Sequence, residues 1–394
     1  MKERRRTYRA PDPARMAEFA ATARRLQRER ESAAEVVQRL LRETPKNEWP
    51  WLARRTELHT NGALEELAKR VETQLDREPR EALVIAEVAA VIADAIPDDA
   101  YPPVVLAQMR AQAWKDRGQA LDYLARYDEA LAALDRAEEQ LAVSGTLAHE
   151  LAIVHFVRAT TLQNVRRYDE SLQLLNTCRD TFREHGDLRR RLICGIAEGA
   201  LLHRLCRYRE ARETYAPLLQ LATELQDTES LACLSNVLGY CSVELNQFED
   251  AERYLGRAVQ LFVQLQQPLH ATRAELARGR MMLRRGDYPE ALPHLTAVRD
   301  EFLRRGLVEE AGLSGLDMVA AHIALGAPSE AETLARRIVA EFSDARLSDR
   351  AITALGYLTE AIAARSASER TVGTVRDYIH SLRTFPEREF VAYA

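Results

Sequence analysis

The sequence predicts an all-α protein: a right-handed α-solenoid of stacked antiparallel helix pairs behind an N-terminal helical cap. Three observations predict it. Of 394 residues, 46% are hydrophobic and 29% charged, with only 16 Gly and 14 Pro, the usage of a folded chain built almost entirely from helices. A short motif, aromatic, any, acidic, small, then apolar, recurs at a nearly constant period. Other columns of residues keep that period independently, which is the signature of stacked repeats.

The N-terminal elements come first. Residues 14–43 read as one long helix whose apolar side includes Phe19, Leu26, Val36, Val37, Leu40 and Leu41. The Pro-flanked stretch Thr44 to Leu52 breaks it, and Trp49 and Trp51 there are either anchors for the first helix or an exposed docking motif. Residues 1–60 are therefore a basic arm and helical cap. A divergent helix pair follows over 61–102, with Glu81-Ala82 in the acidic-small position.

Residues 103–343 hold six units of about 40 residues. The motif starts at Tyr127, Tyr168, Tyr208, Phe248 and Tyr288, at steps of 41, 40, 40 and 40, and a weaker copy begins at Pro328. Twelve residues before the small residue of each unit stand Gly118, Ala159, Gly199, Gly239, Gly279 and Val319, where a small side chain lets helices approach closely. Four after it come Leu134, Leu175, Tyr215, Leu255 and Leu295; eleven after it come Leu141, Phe182, Ala222, Phe262, Phe302 and Phe342. These offsets lie on one helical face, the buried stripe of the second helix. Residues 344–394 read as a final capping pair, 348–365 and 368–383, with a short tail.

Charge and chemistry narrow the function. Net charge is -5 overall, but residues 1–60 carry +6 and the remainder -11. The arm residues Arg4, Arg5, Arg6 and Arg9 read either as a solvated terminus or as a contact for nucleic acid or an acidic protein face. An acidic body argues against nucleic acid along the whole stack. The start lacks the apolar stretch of a signal peptide and no run is long enough to span a membrane, so a cytoplasmic protein is expected. The five cysteines fall within helical patterns without close pairing and are expected to be reduced, packed thiols; no metal or cofactor is expected. Phosphate-binding, metalloprotease and nucleophile-elbow motifs are absent, so the chain is expected not to be an enzyme.

Trp114, Gly118, Leu121, Tyr127, Ala130, Leu134 and Ala137 together resemble the tetratricopeptide repeat signature over about residues 103–383, with a period of 40 where the common form has 34. The longer unit resembles repeats of bacterial regulatory proteins. That resemblance implies an interaction scaffold in which the first helix of each pair lines a concave groove. By column, the groove residues would be Lys115, Gln119, Asp122 and Tyr123, then Thr160, Gln163 and Asn164, then His203 and Arg204, then Asn236, Tyr240 and Glu244, and finally Arg280 and Arg284. The amides and tyrosines suit a peptide backbone, and the two arginines, one turn apart, suit a carboxylate. The expected function is a scaffold or adaptor for a protein or peptide partner; a receptor for a short ligand, nucleic-acid contact through the arm, and homo-oligomerisation through end units stand as alternatives.

Overall fold

A computed structural model describes residues 13–75, 77–142, 147–382 and 387–391. The arm residues Arg4, Arg5, Arg6 and Arg9 lie outside these. Among the described residues the secondary structure is entirely helical. Helix α1 (Pro13–Glu43) is followed by 3₁₀ turns over Lys46–Arg54 and Thr56–Leu58 and by the pair α2 (Asn61–Gln74) and α3 (Pro79–Ala95). The repeats are α4 (Pro103–Tyr123) with α5 (Tyr127–Leu141), α6 (Ala148–Asn164) with α7 (Tyr168–Glu184), and α8 (Leu188–Arg204) with α9 (Tyr208–Glu224). Then come α10 (Thr228–Glu244) with α11 (Phe248–Gln264), α12 (Pro268–Arg285) with α13 (Tyr288–Arg304), and α14 (Val308–Ala324) with α15 (Pro328–Asp344). Helices α16 (Asp349–Ala363) and α17 (Glu369–Leu382) complete the order. We call the first helix of each pair its A helix and the second its B helix.

The turn between A and B explains the repeated motif. One residue takes a left-handed conformation, as at Ala125 (φ 57°), Arg166 (φ 63°) and Cys206 (φ 59°). The amide after it returns to a carbonyl of the preceding helix: Arg126 to Leu121 at 3.0 Å, Arg167 to Leu162 and Arg207 to Leu202 at 2.9 Å. The same arginines then grip the acidic residue of the motif three positions on, Arg126 to Glu129 and Arg167 to Glu170 at 2.6 Å and Arg207 to Glu210 at 2.5 Å. The acid therefore clips a tight turn, besides favouring the helix N-terminus.

Inside each pair the two conserved-period columns meet. A Cβ added at Gly118, Gly239 or Gly279 would come within 2.9, 2.5 or 2.4 Å of the Leu134, Leu255 or Leu295 side chain. The glycine thus sets the A–B spacing, and the leucine fills the space it leaves. Phe182, Phe262, Phe302 and Phe342 are buried two turns further along.

The chain forms two compact units, Met1–Glu198 and Gly199–Ala394, divided within α8. In the first, Gly62 lets α2 press against α1: a Cβ there would lie 2.5 Å from the Glu29 carbonyl. The Glu29 carboxylate accepts from the Tyr101 hydroxyl at 2.9 Å and from the Asn61 amide at 3.0 Å, which seats the long helix. Trp49 is buried and donates to the Thr44 carbonyl at 3.0 Å, whereas Trp51 is 57% exposed beside Arg54, so the two tryptophans divide between anchor and surface. Trp114 is only half-buried, donating to Asp94 at 3.1 Å between Arg117 and Arg136.

In the second unit, α15 packs between α14 and α16 as the repeat requires. Helix α17 does not continue that pattern; it packs on α16 and also on α14, an A helix. The tail closes on it, with Phe390 between Tyr357 and Tyr378 and the Tyr378 hydroxyl on the Arg388 carbonyl at 2.8 Å. Cysteines 178, 194 and 241 are buried, but Cys206 and Cys233 are exposed, against the expectation that all five are packed. Cys206 occupies the left-handed turn position between α8 and α9.

Candidate partner-binding face

The A helices pack side by side, α4 against α6, α10 against α12 and α12 against α14, and each unit carries a cavity of mixed polar and apolar lining on that face. In the first unit the cavity is about 560 Å³, lined from α1, α2, α4 and α6 and including Lys115, Asp116 and Gln119. Asp116 is buried and accepts from Lys115 Nζ at 2.6 Å and from Gln112 Nε2 at 2.9 Å. Gln108 Nε2 on α4 donates to Glu150 on α6 at 2.6 Å, which braces the cavity wall. Asn164 Nδ2 donates to Asp122 at 3.0 Å, joining the ends of α4 and α6. Burial raises the Asp122 carboxyl above its ordinary range, with the Asn164 hydrogen bond opposing. Tyr123 is 46% exposed. The Thr160 hydroxyl turns back to the Val157 carbonyl at 2.7 Å, and Gln163 Nε2 is buried with no hydrogen-bond partner among the described residues.

In the second unit the cavity is about 400 Å³, lined from α10, α12, α14 and α17 and by Tyr288 at the start of α13. Tyr240, Glu244, Arg280 and Arg284 all line it, so the column rule brings these four together. The two arginines are nevertheless not a free clamp. Arg280 Nε donates to Asp317 Oδ2 at 2.7 Å, while Arg284 pairs with Glu244 at 2.9 Å and donates to the Val243 carbonyl at 2.9 Å. A fully buried carboxylate needs charged donors, and Asp317 draws in Arg280 from α12 and Arg376 from α17. Burial opposes charge on Arg280, but the Asp317 carboxylate outweighs it and raises its pKa. The Tyr240 hydroxyl donates to the Arg273 carbonyl at 3.4 Å, and Asn236 Oδ1 is buried without a partner among the described residues. His203 packs edge-on against Tyr208 at 5.3 Å, and burial lowers its pKa against the pull of Glu244; Arg204 is exposed.

Sequence reasoning missed Asp116, Asp317 and Arg376. Both aspartates stand fourteen residues before the small residue of their units, Ala130 and Ala331, in a column otherwise filled by Val157, Ala197, Val237 and Ala277. Two acids in an apolar column are a readable signal. Arg376 carries none, because its partner lies 59 residues away on another helix.

Among the described residues, no group of His, Cys, Asp and Glu is arranged to hold a metal ion, and no helix is long and apolar enough to cross a membrane. Comparison with known proteins shows what this architecture is similar to. The apo form of RapI superposes with a TM-score of 0.57 at 14% identity, over 88% of this chain and 98% of that one. A signal transduction ATPase with numerous domains and a tetratricopeptide repeat sensor, from Pyrococcus horikoshii, gives 0.59 at 13% identity over 92% of this chain; the match spans 53% of that longer protein. Aspartyl phosphate phosphatase F from Bacillus subtilis gives 0.52 at 14% identity, over 89% and 96% of the two chains. No family model and no curated relative matches the sequence. The chain has a tetratricopeptide-like helical-repeat fold; at these identities the likeness is one of fold.

Proposed function

We propose that the protein is a cytoplasmic, non-enzymatic interaction module that holds a segment of a partner protein on its A-helix faces and so acts as an adaptor for a larger effector. One observation carries this reading: each unit places a cavity on that face with a buried aspartate at the same repeat register and cationic side chains around it. Such a surface offers hydrogen-bond donors and acceptors on rigid helices, as recognition of an extended chain requires. The groove residues that support it are Lys115 and Gln119 in the first unit and Tyr240, Glu244, Arg280 and Arg284 in the second.

The test is selection of displayed peptides against the full chain, followed by affinity measurement on Gln119→Arg and Tyr240→Ala. Loss of about tenfold or more in affinity, some 1.4 kcal/mol, in at least one variant supports the reading. Selected peptides that bind both variants as tightly as the parent would contradict it.

A second reading, a receptor for a short ligand, is favoured by the second-unit cavity, whose size of about 400 Å³ falls in the range of small-ligand sites and which α17 covers. A receptor of this kind gains thermal stability with a short ligand alone, by mass action. Contact with nucleic acid through the basic N-terminal arm is tested separately, by the salt dependence of binding before and after deletion of residues 1–30.

A further inference from the structure

We infer that the surface of α14 and α16 beneath α17 is a docking site for an amphipathic helix bearing an arginine, and that α17 is its exchangeable intramolecular occupant. The inference rests on the reading of the A-helix face as a binding surface and names one class of partner for it. As the B helix of a seventh pair, α17 should repeat the position of α15; it lies instead against A helix α14. There it behaves as a bound helix. Val372, Val375, Ile379 and Leu382 form its buried stripe at steps of three and four, and Arg376 reaches Asp317 at 2.7 Å.

Three features make the occupant exchangeable. The helix covers the face without filling it, since a cavity of about 400 Å³ remains between α17 and helices α10, α12 and α14. Asp317 keeps Arg280 at 2.7 Å when Arg376 departs, so release does not leave a buried carboxylate alone. The helix has 14 residues, too few for stability in isolation, and the short link 364–368, where Arg365 takes a left-handed turn (φ 54°), joins it to α16, on which it also packs. A partner helix with the same spacing of apolar residues and an arginine one turn beyond the first would meet the same surface. While α17 sits there, the apparent affinity for such a helix is reduced by the fraction of molecules in which the site is open.

Two measurements on the full chain test this. In native-state hydrogen exchange of the unmodified protein, amides of 369–382 should exchange by a local opening at least about tenfold faster than the buried amides of α14 and α15. A labelled synthetic peptide of residues 366–382 should bind the Arg376→Glu chain at least about tenfold more tightly than the parent chain, and its own Arg376→Glu counterpart should not bind. Exchange of α17 in step with α14 and α15, or equal binding of the peptide to both chains, would overturn the inference. Displayed peptides that bind the A-helix face while α17 stays closed would overturn it and leave the proposed function standing. An exchangeable α17 with no selected ligand would do the reverse.

Discussion

Arg376 on α17 donates to one oxygen of Asp317 on α14 at 2.7 Å, and Arg280 on α12 donates to the other at the same distance. One fully buried carboxylate thus ties three helices of the second unit. The arrangement is asymmetric in energy, because each arginine is about one-third exposed while the acid is not exposed at all.

Asp317→Ala is expected to cost about 2–3 kcal/mol, since it leaves two partly buried guanidinium groups without their acceptor. Arg376→Ala should cost less, about 1 kcal/mol, because Arg280 still satisfies the acid. Urea unfolding of the two variants checks the order; equal losses would contradict it.

The glycine column gives an internal control. Gly239→Ala brings a methyl group within 2.5 Å of Leu255 and should destabilise by about 1–3 kcal/mol through overpacking. Gly256 lies within α11 with nothing within 4 Å of its would-be Cβ, so Gly256→Ala should stabilise by up to about 1 kcal/mol through helix propensity. Opposite shifts of the thermal midpoint are the expected outcome.

The five thiols should divide by reactivity. Cys206 and Cys233 are exposed and should react with a thiol reagent in the native protein, while Cys178, Cys194 and Cys241 should react only on unfolding. Burial pushes the Cys178 thiol up to about 12 and Cys241 to about 11. Their folded-state values are raised, so the stability they contribute is complete below about 9, the ordinary value, and is lost as pH rises towards 12. Unfolding at pH 8 and pH 11, with Cys178→Ala for comparison, measures that loss.

Asp187 works in the opposite direction. Burial opposes its ionisation, but the Arg190 amide and side chain and His149 outweigh burial and hold the carboxyl near a pKa of about 2. The folded-state value is depressed below 3.8, so its contribution is present above that pH and disappears as pH falls through 2. Asp187→Asn should flatten the acid limb of the stability profile between pH 4 and 2; an unchanged limb would show that other carboxyls govern it.

The fold was legible because its signals are local and repeated. A glycine and a leucine sixteen positions apart, such as Gly239 and Leu255, report the A–B contact directly, and the copies multiply the evidence. The site was legible only in part. Column position brought Tyr240, Glu244, Arg280 and Arg284 to one cavity, yet Arg280 is held by Asp317, which with Asp116 is an exception in an apolar column. The placement of α17 was not legible. Ser368-Glu369 keeps the repeat register, but where that helix lies is decided by Asp317 and the apolar surface of α14, contacts distant in sequence.

Whether the A-helix face receives the partner is read most directly by hydrogen exchange of the full chain with and without a selected peptide. New protection is expected in A helices, α4 and α6 or α10, α12 and α14, with B helices α5 and α11 unchanged. Protection confined to the B helices, or to residues outside both cavities, would contradict the proposal.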